Sequence, residues 1–360
     1  MKILMMHQTV TSHDAIGNDI EKMYLYLSQD YNCQVFAQNK FNDRVEYIEE
    51  KDLVEELSKP ENVVIYHHSV YWEMGEALLA QAKCKVVFKY HNITPAHFFE
   101  EYNDFHFEQC KKGREQTKRL IENFPTAIWL NDSIYNSKEI EGVPEERKYI
   151  VPPFNKVEEW KTKKPNEQLL DQLLTSDEKN ILFVSRVAPN KGHLDLVEIL
   201  RLCLINYGVK FHLRIIGKFD DGLQKYNSLI FNKIKENQLD GYIEFIGEVN
   251  DSDLLSYFLG SDVYLSYSKH EGFCVPVIEA QYLHLPVIAL DACAVKETMG
   301  SEQVTLDEKL ENYAAAIELI CTDSSVKNYL IAEGEKNFKN RFTDDIILKQ
   351  LNEGLREVLV

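Results

Sequence analysis

The chain has 360 residues, a formal net charge of −18 and 44% hydrophobic residues. This length and apolar content suit about two domains with buried cores and exclude a disordered chain. The acidic balance excludes a nucleic-acid backbone as the principal partner, because binding to phosphates needs a basic surface. Seven widely spaced cysteines without a Cys-x-x-Cys pair argue against a disulfide framework and a zinc site, and they indicate a reducing compartment.

Membrane insertion is not expected from this sequence. No apolar run approaches the ~20 residues that a membrane-spanning helix needs. The N-terminal run MKILMMHQTV is too short for a signal peptide. We therefore predict a cytoplasmic protein, and peripheral contact with the inner membrane face is left open.

In the first half, short runs rich in Val, Ile, Phe and Tyr alternate with helical patterns. The predicted strands are Lys2–His7, Cys33–Ala37, Val63–His67, Lys85–Tyr90, Thr126–Leu130 and Tyr149–Val151. The predicted helices include Ile16–Leu27 and the long stretch Pro95–Asn123. Strands separated by helices indicate β-α-β units and a parallel sheet that is covered on both faces.

The second half repeats this scheme. Its predicted strands are Ile181–Ser185, Phe211–Ile216, Ile243–Ile246, Val263–Ser266 and Val287–Leu290. The predicted helices between them are His193–Asn206, Asp221–Asn237, Asp251–Leu259 and Val275–His284. A charged, proline-containing segment, 151–166, separates the halves. We predict an α/β protein with Rossmann-like domains at residues 1–160 and 161–342 and a terminal helix at 343–360. Ligands of such sheets bind beyond the carboxyl ends of the strands.

The most informative segment is SKHEGFCVPVIEA, which follows a predicted strand and opens a predicted helix. Glu271 lies in the loop, and Glu279 lies inside the helix. The backbone N–H groups at the helix start are predicted to form a diphosphate site. The residues that contribute to this site are Gly272, Phe273, Cys274 and Val275. A loop carboxylate beside such a site can accept hydrogen bonds from sugar hydroxyls. The alternative interpretation is a solvated acidic loop before a capped helix.

The stretch EGFCVPVIE resembles the Glu-x7-Glu signature of retaining glycosyltransferases of family 4. FVSRVAPNKG, RIIGK and FIGEVNDSDLLSYFLGSDVYLSYS resemble further segments of that family, and in the first half KYHNITP and the Gly17 loop do so. The resemblance implies the GT-B architecture, in which two Rossmann-like domains face a central cleft. The first domain then binds the acceptor, the second binds the nucleotide-sugar donor, and the terminal helix packs back on the first domain.

The same resemblance implies a function. A sugar passes, with retention of anomeric configuration, from a nucleoside diphosphate sugar to a saccharide or lipid-linked saccharide in polysaccharide or glycoconjugate biosynthesis. Neither a metal nor a further cofactor is expected, because fixed cations can stabilise the departing diphosphate. The donor sugar, the nucleotide base and the linkage are not specified by these motifs.

Residue roles follow from the matching positions. The resemblance implies that Arg186 and Lys191 contact the diphosphate, Glu271 the donor sugar and Glu279 the ribose. It also places His91, at a predicted strand end, near the reacting sugar carbon, where it can donate to a hydroxyl. Further donor contacts are expected at Gly17, Gly217 and Val249. The chain departs from the family pattern in two places, with Ser185 where the family has Gly and with Ile16 before Gly17.

Other functions fit the sequence less well. The Gly-x-Gly-x-x-Gly pattern of dinucleotide-binding oxidoreductases and the Gly-Lys-Ser/Thr of P-loop enzymes are absent. Asp251-Ser252-Asp253 matches the Asp-x-Asp motif of metal-dependent glycosyltransferases, but its place before LLSYFL predicts a helix start. A catalytically silent nucleotide-sugar-binding subunit and a nucleotide-sugar epimerase of related fold remain alternatives. A basic stretch suggests either a solvated helix face or contact with anionic lipids; it comprises Lys111, Lys112, Arg114, Lys118 and Arg119.

Overall fold

The computed structural model describes residues 1–12 and 14–359. The chain forms two compact units. Unit 1 consists of Met1–Ala96, Phe105–Lys156 and Arg341–Val360, and unit 2 consists of His97–Asp104 and Val157–Asn340. Within the described residues, none of the helices combines the length and the apolar character that crossing a bilayer requires.

Each unit contains one six-stranded parallel sheet. In unit 1 the order is β2-β1-β3-β4-β5-β6, built from β1 Lys2–Thr11, β2 Asn32–Phe41, β3 Val63–His68, β4 Lys85–Tyr90, β5 Ile128–Asn131 and β6 Lys148–Ile150. In unit 2 the order is β12-β11-β10-β7-β8-β9, built from β7 Lys179–Val184, β8 Phe211–Ile216, β9 Ile243–Gly247, β10 Val263–Ser266, β11 Val287–Leu290 and β12 Val304–Leu306.

Helices connect the strands. In chain order they are α1 Ala15–Leu27, α2 Glu50–Leu57, α3 Glu73–Leu79, α4 Asp104–Asn123, α5 Ile134–Glu139, α6 Glu167–Leu174, α7 His193–Asn206, α8 Gln224–Glu236, α9 Asp251–Leu259, α10 Val275–Tyr282, α11 Val295–Met299, α12 Leu310–Thr322, α13 Ser324–Arg341 and α14 Asp344–Leu355. Strands that alternate with helices satisfy the need of a parallel sheet to have both faces covered.

The sheet of unit 1 is apolar on both faces. Alternate residues of a strand point to opposite sides of the sheet, so a fully apolar strand contributes to two buried clusters. Ile3 and Met5 belong to one buried cluster, whereas Leu4 and Met6 belong to another. Helix α14 contributes three side chains to the first cluster, Ile347, Leu351 and Leu355. Residues from the end of the chain thereby complete the core that the first strand begins.

A buried ion pair reinforces the attachment of α14. Lys22 Nζ of α1 lies 2.6 Å from Asp344 Oδ2, and each side chain is 8% exposed. The hydroxyl of Tyr26 donates to the same carboxylate oxygen over 3.0 Å. Burying these charges is tolerable because each finds an oppositely charged or polar partner.

Apart from shifts in element boundaries, the structure shows one strand and one break in a helix that the sequence did not predict. β12 was not expected, because a three-residue edge strand carries too little pattern to be recognised. The stretch predicted as one helix over Pro95–Asn123 contains a 3₁₀ turn, Ala96–Phe99, and α4 begins only at Asp104. The segment between them belongs to unit 2, where the Asn103 side chain donates to the Gly222 carbonyl over 2.6 Å. Tertiary contacts thus interrupt the helical periodicity there.

Candidate functional site

In unit 2, a lysine and a glutamate from distant parts of the sequence meet beyond the carboxyl ends of the strands. Lys191 ends a 3₁₀ turn, Pro189–Lys191, that follows β7. Its Nζ lies 2.5 Å from Oε1 of Glu271, in the loop between β10 and α10. The two side chains are only 15% and 13% exposed. The structure therefore brings together two of the predicted site residues as a largely buried ion pair.

Backbone contacts hold the two loops against each other. The Lys269 N–H donates to the Asn190 carbonyl over 2.8 Å. Gly192, directly after Lys191, has a φ of +71°, and a Cβ there would lie 2.3 Å from the Tyr267 carbonyl oxygen. Only glycine adopts this conformation and fits this approach without strain. The position of Lys191 thus depends on its glycine neighbour.

The start of α10 is shaped by an unusual backbone conformation at Cys274. This residue is the N-cap, has a φ of +80° in the left-handed region and makes no side-chain cap bond. The Phe273 carbonyl just before it accepts a 2.7 Å hydrogen bond from the Thr298 hydroxyl. Non-glycine residues in this region carry strain that surrounding contacts must hold in place, and such strain often accompanies binding sites.

The thiol of Cys274 is not a nucleophile candidate. Cys274 is buried, and burial, reinforced by the negative charge of Glu271, raises the pKa of this thiol well above its ordinary value. A neutral buried thiol acts as a small apolar side chain. At this helix start, the groups suited to binding anions are therefore the backbone N–H groups, which carry the positive end of the helix dipole. Among the other predicted contacts here, Gly272, Val275 and Glu279 are half-buried.

The remaining unit 2 positions lie at neighbouring strand ends. Arg186 follows β7 and is exposed, and no carboxylate of the described residues pairs with its guanidinium. Gly217 follows β8 with a φ of +145°, and a Cβ there would lie 2.0 Å from the Ser185 carbonyl oxygen. Its N–H donates to the Gly247 carbonyl over 2.9 Å. The close approach of the two strand ends is therefore sufficient to require glycine at position 217. The last of these positions, Val249, is half-buried in the loop after β9.

In unit 1, packing also explains why position 17 is a glycine. It lies in the first turn of α1, where its N–H donates to the Asp14 carboxylate over 2.6 Å. A Cβ on Gly17 would lie 1.7 Å from the carbonyl oxygen of Thr11, the last residue of β1. The close approach of α1 to β1 therefore demands glycine here whether or not a ligand binds.

His91 follows β4, and both of its ring nitrogens have protein partners. Nδ1 lies 2.9 Å from Asp132 Oδ2, and Nε2 lies 3.0 Å from Nδ1 of His67. Its side chain is 4% exposed. To donate to a sugar hydroxyl as the family resemblance implies, His91 would have to exchange its contact with His67.

Three charged residues around His91 were not among the sequence candidates: Asp19, Lys89 and Asp132. Lys89, fully buried in β4, donates to the Asp132 carboxylate and, over 2.5 Å, to the Val151 carbonyl. Asp19 accepts a 2.8 Å hydrogen bond from the Phe154 N–H. A lysine within the apolar run KVVFKY and an aspartate directly after IWLN are the signals that could have identified this group.

The environments of the two aspartates displace their pKa values in opposite directions. Burial raises the pKa of Asp19 and outweighs the opposing effect of Lys89. For Asp132, burial also favours the neutral acid, but His91 and Lys89 together hold the pKa below its ordinary value. Burial lowers the pKa of His67 well below 6.5 and that of His7 to about 4. These two histidines are therefore neutral at pH 7.

Asp251 and Asp253 have structural partners. Both lie in the first turn of α9, where Asn250 is the N-cap and accepts a hydrogen bond from the Asp253 N–H over 3.0 Å. Asp251 pairs with Lys163. Carboxylates in a first helical turn interact favourably with the helix dipole. This agrees with the predicted helix start, although the capping side chain is that of Asn250.

The basic stretch of α4 is partly neutralised within unit 1. Arg119 Nη2 lies 2.8 Å from Glu76 Oε2. Arg114 donates to the Ile93 carbonyl over 2.8 Å. Contact of this face with a membrane stays a prediction from the sequence.

Comparison with protein families matches residues 166–337 to the model described as "Glycosyl transferases group 1". Among curated proteins, the chain is 27% identical over 181 residues to the capsular polysaccharide biosynthesis glycosyltransferase CapM of Staphylococcus aureus, covering 49% of this chain and 46% of CapM. It is 21% identical over 156 residues to the O-antigen chain mannosyltransferase B of Escherichia coli, covering 42% of this chain and 39% of that protein. The matches thus span less than half the length of these relatives.

Among solved structures, the chain is similar to Anabaena HepE in complex with UDP-glucose. The TM-score is 0.79 at 15% sequence identity, covering 99% of this chain and 100% of HepE. At this identity the likeness concerns the fold, and it confirms the predicted GT-B architecture. The residues matched to the group 1 model fall within unit 2.

The buried histidines at the strand ends make stability depend on pH. Burial lowers the pKa of His68 to about 3, so between pH 7 and pH 5 the unfolded chain takes up a proton at His68 that the folded chain does not. The neutral His68 side chain therefore contributes to the free energy of unfolding above pH 6.5, and this contribution is lost on acidification. We expect the wild-type unfolding free energy to fall by about 2 kcal/mol more over this range than that of His68→Gln. Urea unfolding at both pH values measures this, and parallel losses would contradict it.

Proposed function

We propose that this chain, whose residues 166–337 match the group 1 glycosyl transferase model, transfers a sugar from a nucleoside diphosphate sugar to a saccharide or lipid-linked saccharide. The proposal includes retention of anomeric configuration and a role in polysaccharide or glycoconjugate biosynthesis. The observation that carries it is the 2.5 Å pair of Lys191 and Glu271 directly before α10. A cation, a carboxylate and a helix N-terminus in one loop cluster are the groups that a diphosphate sugar requires.

Each group of this cluster has a role in the proposed reaction. As the bond between the sugar carbon and the phosphate oxygen breaks, negative charge accumulates on the diphosphate. Lys191, Arg186 and the first N–H groups of α10 stabilise that charge. Glu271 accepts hydrogen bonds from the donor sugar hydroxyls. The acceptor oxygen forms the new bond to the sugar carbon, and its proton leaves with the diphosphate.

In the ligand-free chain, Lys191 neutralises Glu271. A bound diphosphate would compete for Lys191, and the sugar hydroxyls would replace the lost contact on Glu271. The exposed Arg186 can turn toward the diphosphate because no carboxylate of the described chain holds it. The names of the similar proteins support saccharide chemistry, since CapM is named for capsular polysaccharide and HepE was solved with UDP-glucose. Retention rests on the Glu-x7-Glu resemblance, and cytoplasmic location stays a prediction.

The direct test is a donor screen followed by product analysis. Thermal unfolding with a panel that includes UDP-glucose and GDP-mannose identifies the donor, because ligands of the folded state raise the unfolding temperature. Transfer and donor hydrolysis are then measured with that donor, and NMR of the product gives the anomeric configuration. Binding without transfer or hydrolysis would instead indicate a silent subunit, and an inverted product would contradict retention.

Lys191→Ala should reduce turnover more than donor binding. The stabilisation by the Lys191 ammonium grows as negative charge develops on the leaving diphosphate. Losing one such hydrogen-bond donor lowers kcat by a factor on the order of 10²–10³. Steady-state kinetics of Lys191→Ala and Arg186→Ala measure the effect.

The matched control is Lys269→Ala. This lysine lies in the same loop cluster but pairs with Asp195 over 2.8 Å rather than with Glu271. Its removal should leave kcat nearly unchanged. Near-normal turnover of both Lys191→Ala and Arg186→Ala would show that the diphosphate site is misassigned.

The two glutamates should separate in nucleotide binding. Glu271→Gln removes the ion pair that occupies Lys191, so the bare nucleoside diphosphate should bind at least as tightly while sugar transfer collapses. Glu279→Gln removes a charge-assisted hydrogen bond to the ribose of roughly 1.5–3 kcal/mol, which lowers affinity about 10- to 100-fold. Calorimetric titration of both variants decides between these roles. Loss of nucleotide binding in Glu271→Gln together with normal binding in Glu279→Gln would show that the two roles are assigned the wrong way round.

Transfer should continue after chelation of divalent metals. The leaving group is neutralised by Lys191, Arg186 and a helix end, and Asp251 is paired with Lys163. Activity in EDTA should be no lower than that of the untreated protein. Loss of activity in EDTA with recovery on adding Mn²⁺ would revive Asp251 and Asp253 as metal ligands.

A further inference from the structure

Unit 1 contains a compact group of potential metal ligands at the carboxyl edge of its sheet. Asp19 lies in α1, one turn after its start, His67 in β3, and His91 directly after β4. One ligand atom from each lies within 4.8 Å of the other two. Asp19 and His67 are fully or almost fully buried, at 0% and 1% exposure.

The spacing of the three atoms matches the requirements of a small metal ion. Asp19 Oδ2 lies 3.9 Å from His67 Nδ1 and 3.9 Å from His91 Nε2, and the two nitrogens are 3.0 Å apart. The point equidistant from all three atoms is about 2.1 Å from each, which is the usual Zn–N and Zn–O bond length. That point lies in the plane of the three atoms, so an out-of-plane ion with water as a fourth ligand requires the Asp19 side chain to move toward the two imidazoles.

One atom of this group lacks a partner within the protein. Asp19 Oδ2 is buried and accepts no hydrogen bond, whereas Oδ1 of the same carboxylate is bound by the Phe154 N–H. A buried carboxylate oxygen without a partner is costly unless something binds it. The free oxygen faces both imidazole nitrogens, so a cation placed between them would satisfy it.

The charges around the group also leave room for a cation. Asp19 and Asp132 are both buried, and Lys89 is the buried cation beside them. Lys89 Nζ pairs with Asp132 and lies 3.9 Å from Asp19 Oδ2. Asp132 is thus paired with Lys89, whereas no cation of the described residues lies within hydrogen-bonding distance of Asp19 Oδ2. A cation bound there would supply the missing partner.

The surroundings orient one of the imidazoles for coordination. His91 Nδ1 lies 2.9 Å from Asp132 Oδ2, so the ring can keep its proton on Nδ1 and present the lone pair of Nε2. A carboxylate–histidine–metal arrangement of this kind fixes the tautomer of metal-binding histidines. Imidazole with carboxylate suits Zn²⁺ and the neighbouring transition metals.

We propose that Asp19, His67 and His91 form a three-ligand site for a divalent transition-metal ion of the Zn²⁺ class. The ion replaces the contact between the two imidazoles and occupies Nε2 of His91. Water completes its coordination, as in open sites with three protein ligands. This inference concerns unit 1 and rests on none of the observations that support the Lys191–Glu271 site, although an ion on His91 Nε2 and donation from that nitrogen to a sugar hydroxyl exclude each other.

The test is metal binding by the full chain, freed of any purification tag and of metal by chelation and dialysis. Calorimetric titration with Zn²⁺ should give one ion per chain, and Co²⁺ should produce visible bands without thiolate charge transfer. Asp19→Asn keeps an oxygen for the Phe154 N–H but removes the charged ligand. Its affinity for Zn²⁺ should fall by at least about 100-fold, beyond what loss of a supporting partner costs.

The matched controls lie nearby. His68→Gln changes the neighbouring buried histidine, which contacts Thr117 instead of the cluster, and should leave Zn²⁺ affinity unchanged. His212→Gln removes a second imidazole–carboxylate pair, in which Nδ1 lies 3.3 Å from Glu178, and should also leave the tight site intact. If Asp19→Asn does not fold by circular dichroism, His91→Gln serves as the ligand variant. Equal Zn²⁺ affinity of ligand variants and wild type, absence of binding, or a thiolate signal with Co²⁺ would overturn the proposal.

Discussion

All strands in each sheet run parallel, and every functional candidate in this protein depends on that arrangement. Parallel strands deliver their carboxyl ends to one edge, so residues far apart in sequence meet there without long loops. In unit 2 this edge joins the turn after β7 to the loop after β10, which places Lys191 2.5 Å from Glu271. In unit 1 it joins the ends of β3, β4 and β5, which places His67, His91 and Asp132 in one hydrogen-bonded chain. Ordinary backbone topology thereby concentrates the chemistry.

The two edges manage charge in different ways. The unit 2 pair retains some exposure, and under the proposed function a diphosphate replaces Glu271 as the partner of Lys191. The unit 1 cluster is almost fully buried and contains two carboxylates around one lysine. Its imbalance calls for an additional cation, either a proton or a metal ion. A metal ion and a sugar hydroxyl would compete for His91, because each would use the Nε2 atom of its ring.

Several glycines predicted as ligand contacts are explained by packing. A side chain on Gly17 or Gly217 would collide with a carbonyl oxygen of the preceding strand end. At the start of α10, the residue with a left-handed backbone is Cys274, not a glycine. A glycine in a family motif can therefore serve the close approach of two backbones, and that approach in turn positions the functional neighbours.

The sequence by itself determined the alternation of strands and helices, because apolar periodicity and strand length are local properties. It also offered Arg186, Lys191, Glu271 and Glu279 as candidates, since their motifs resemble those of a known family and a motif is a local property of the sequence. It did not predict β12 or the interruption before α4, and the signals in KVVFKY and after IWLN did not show that Lys89 and Asp132 meet Asp19. Those features depend on contacts between residues far apart in the chain. Only the tertiary structure brings such residues close enough for burial and charge to decide their roles.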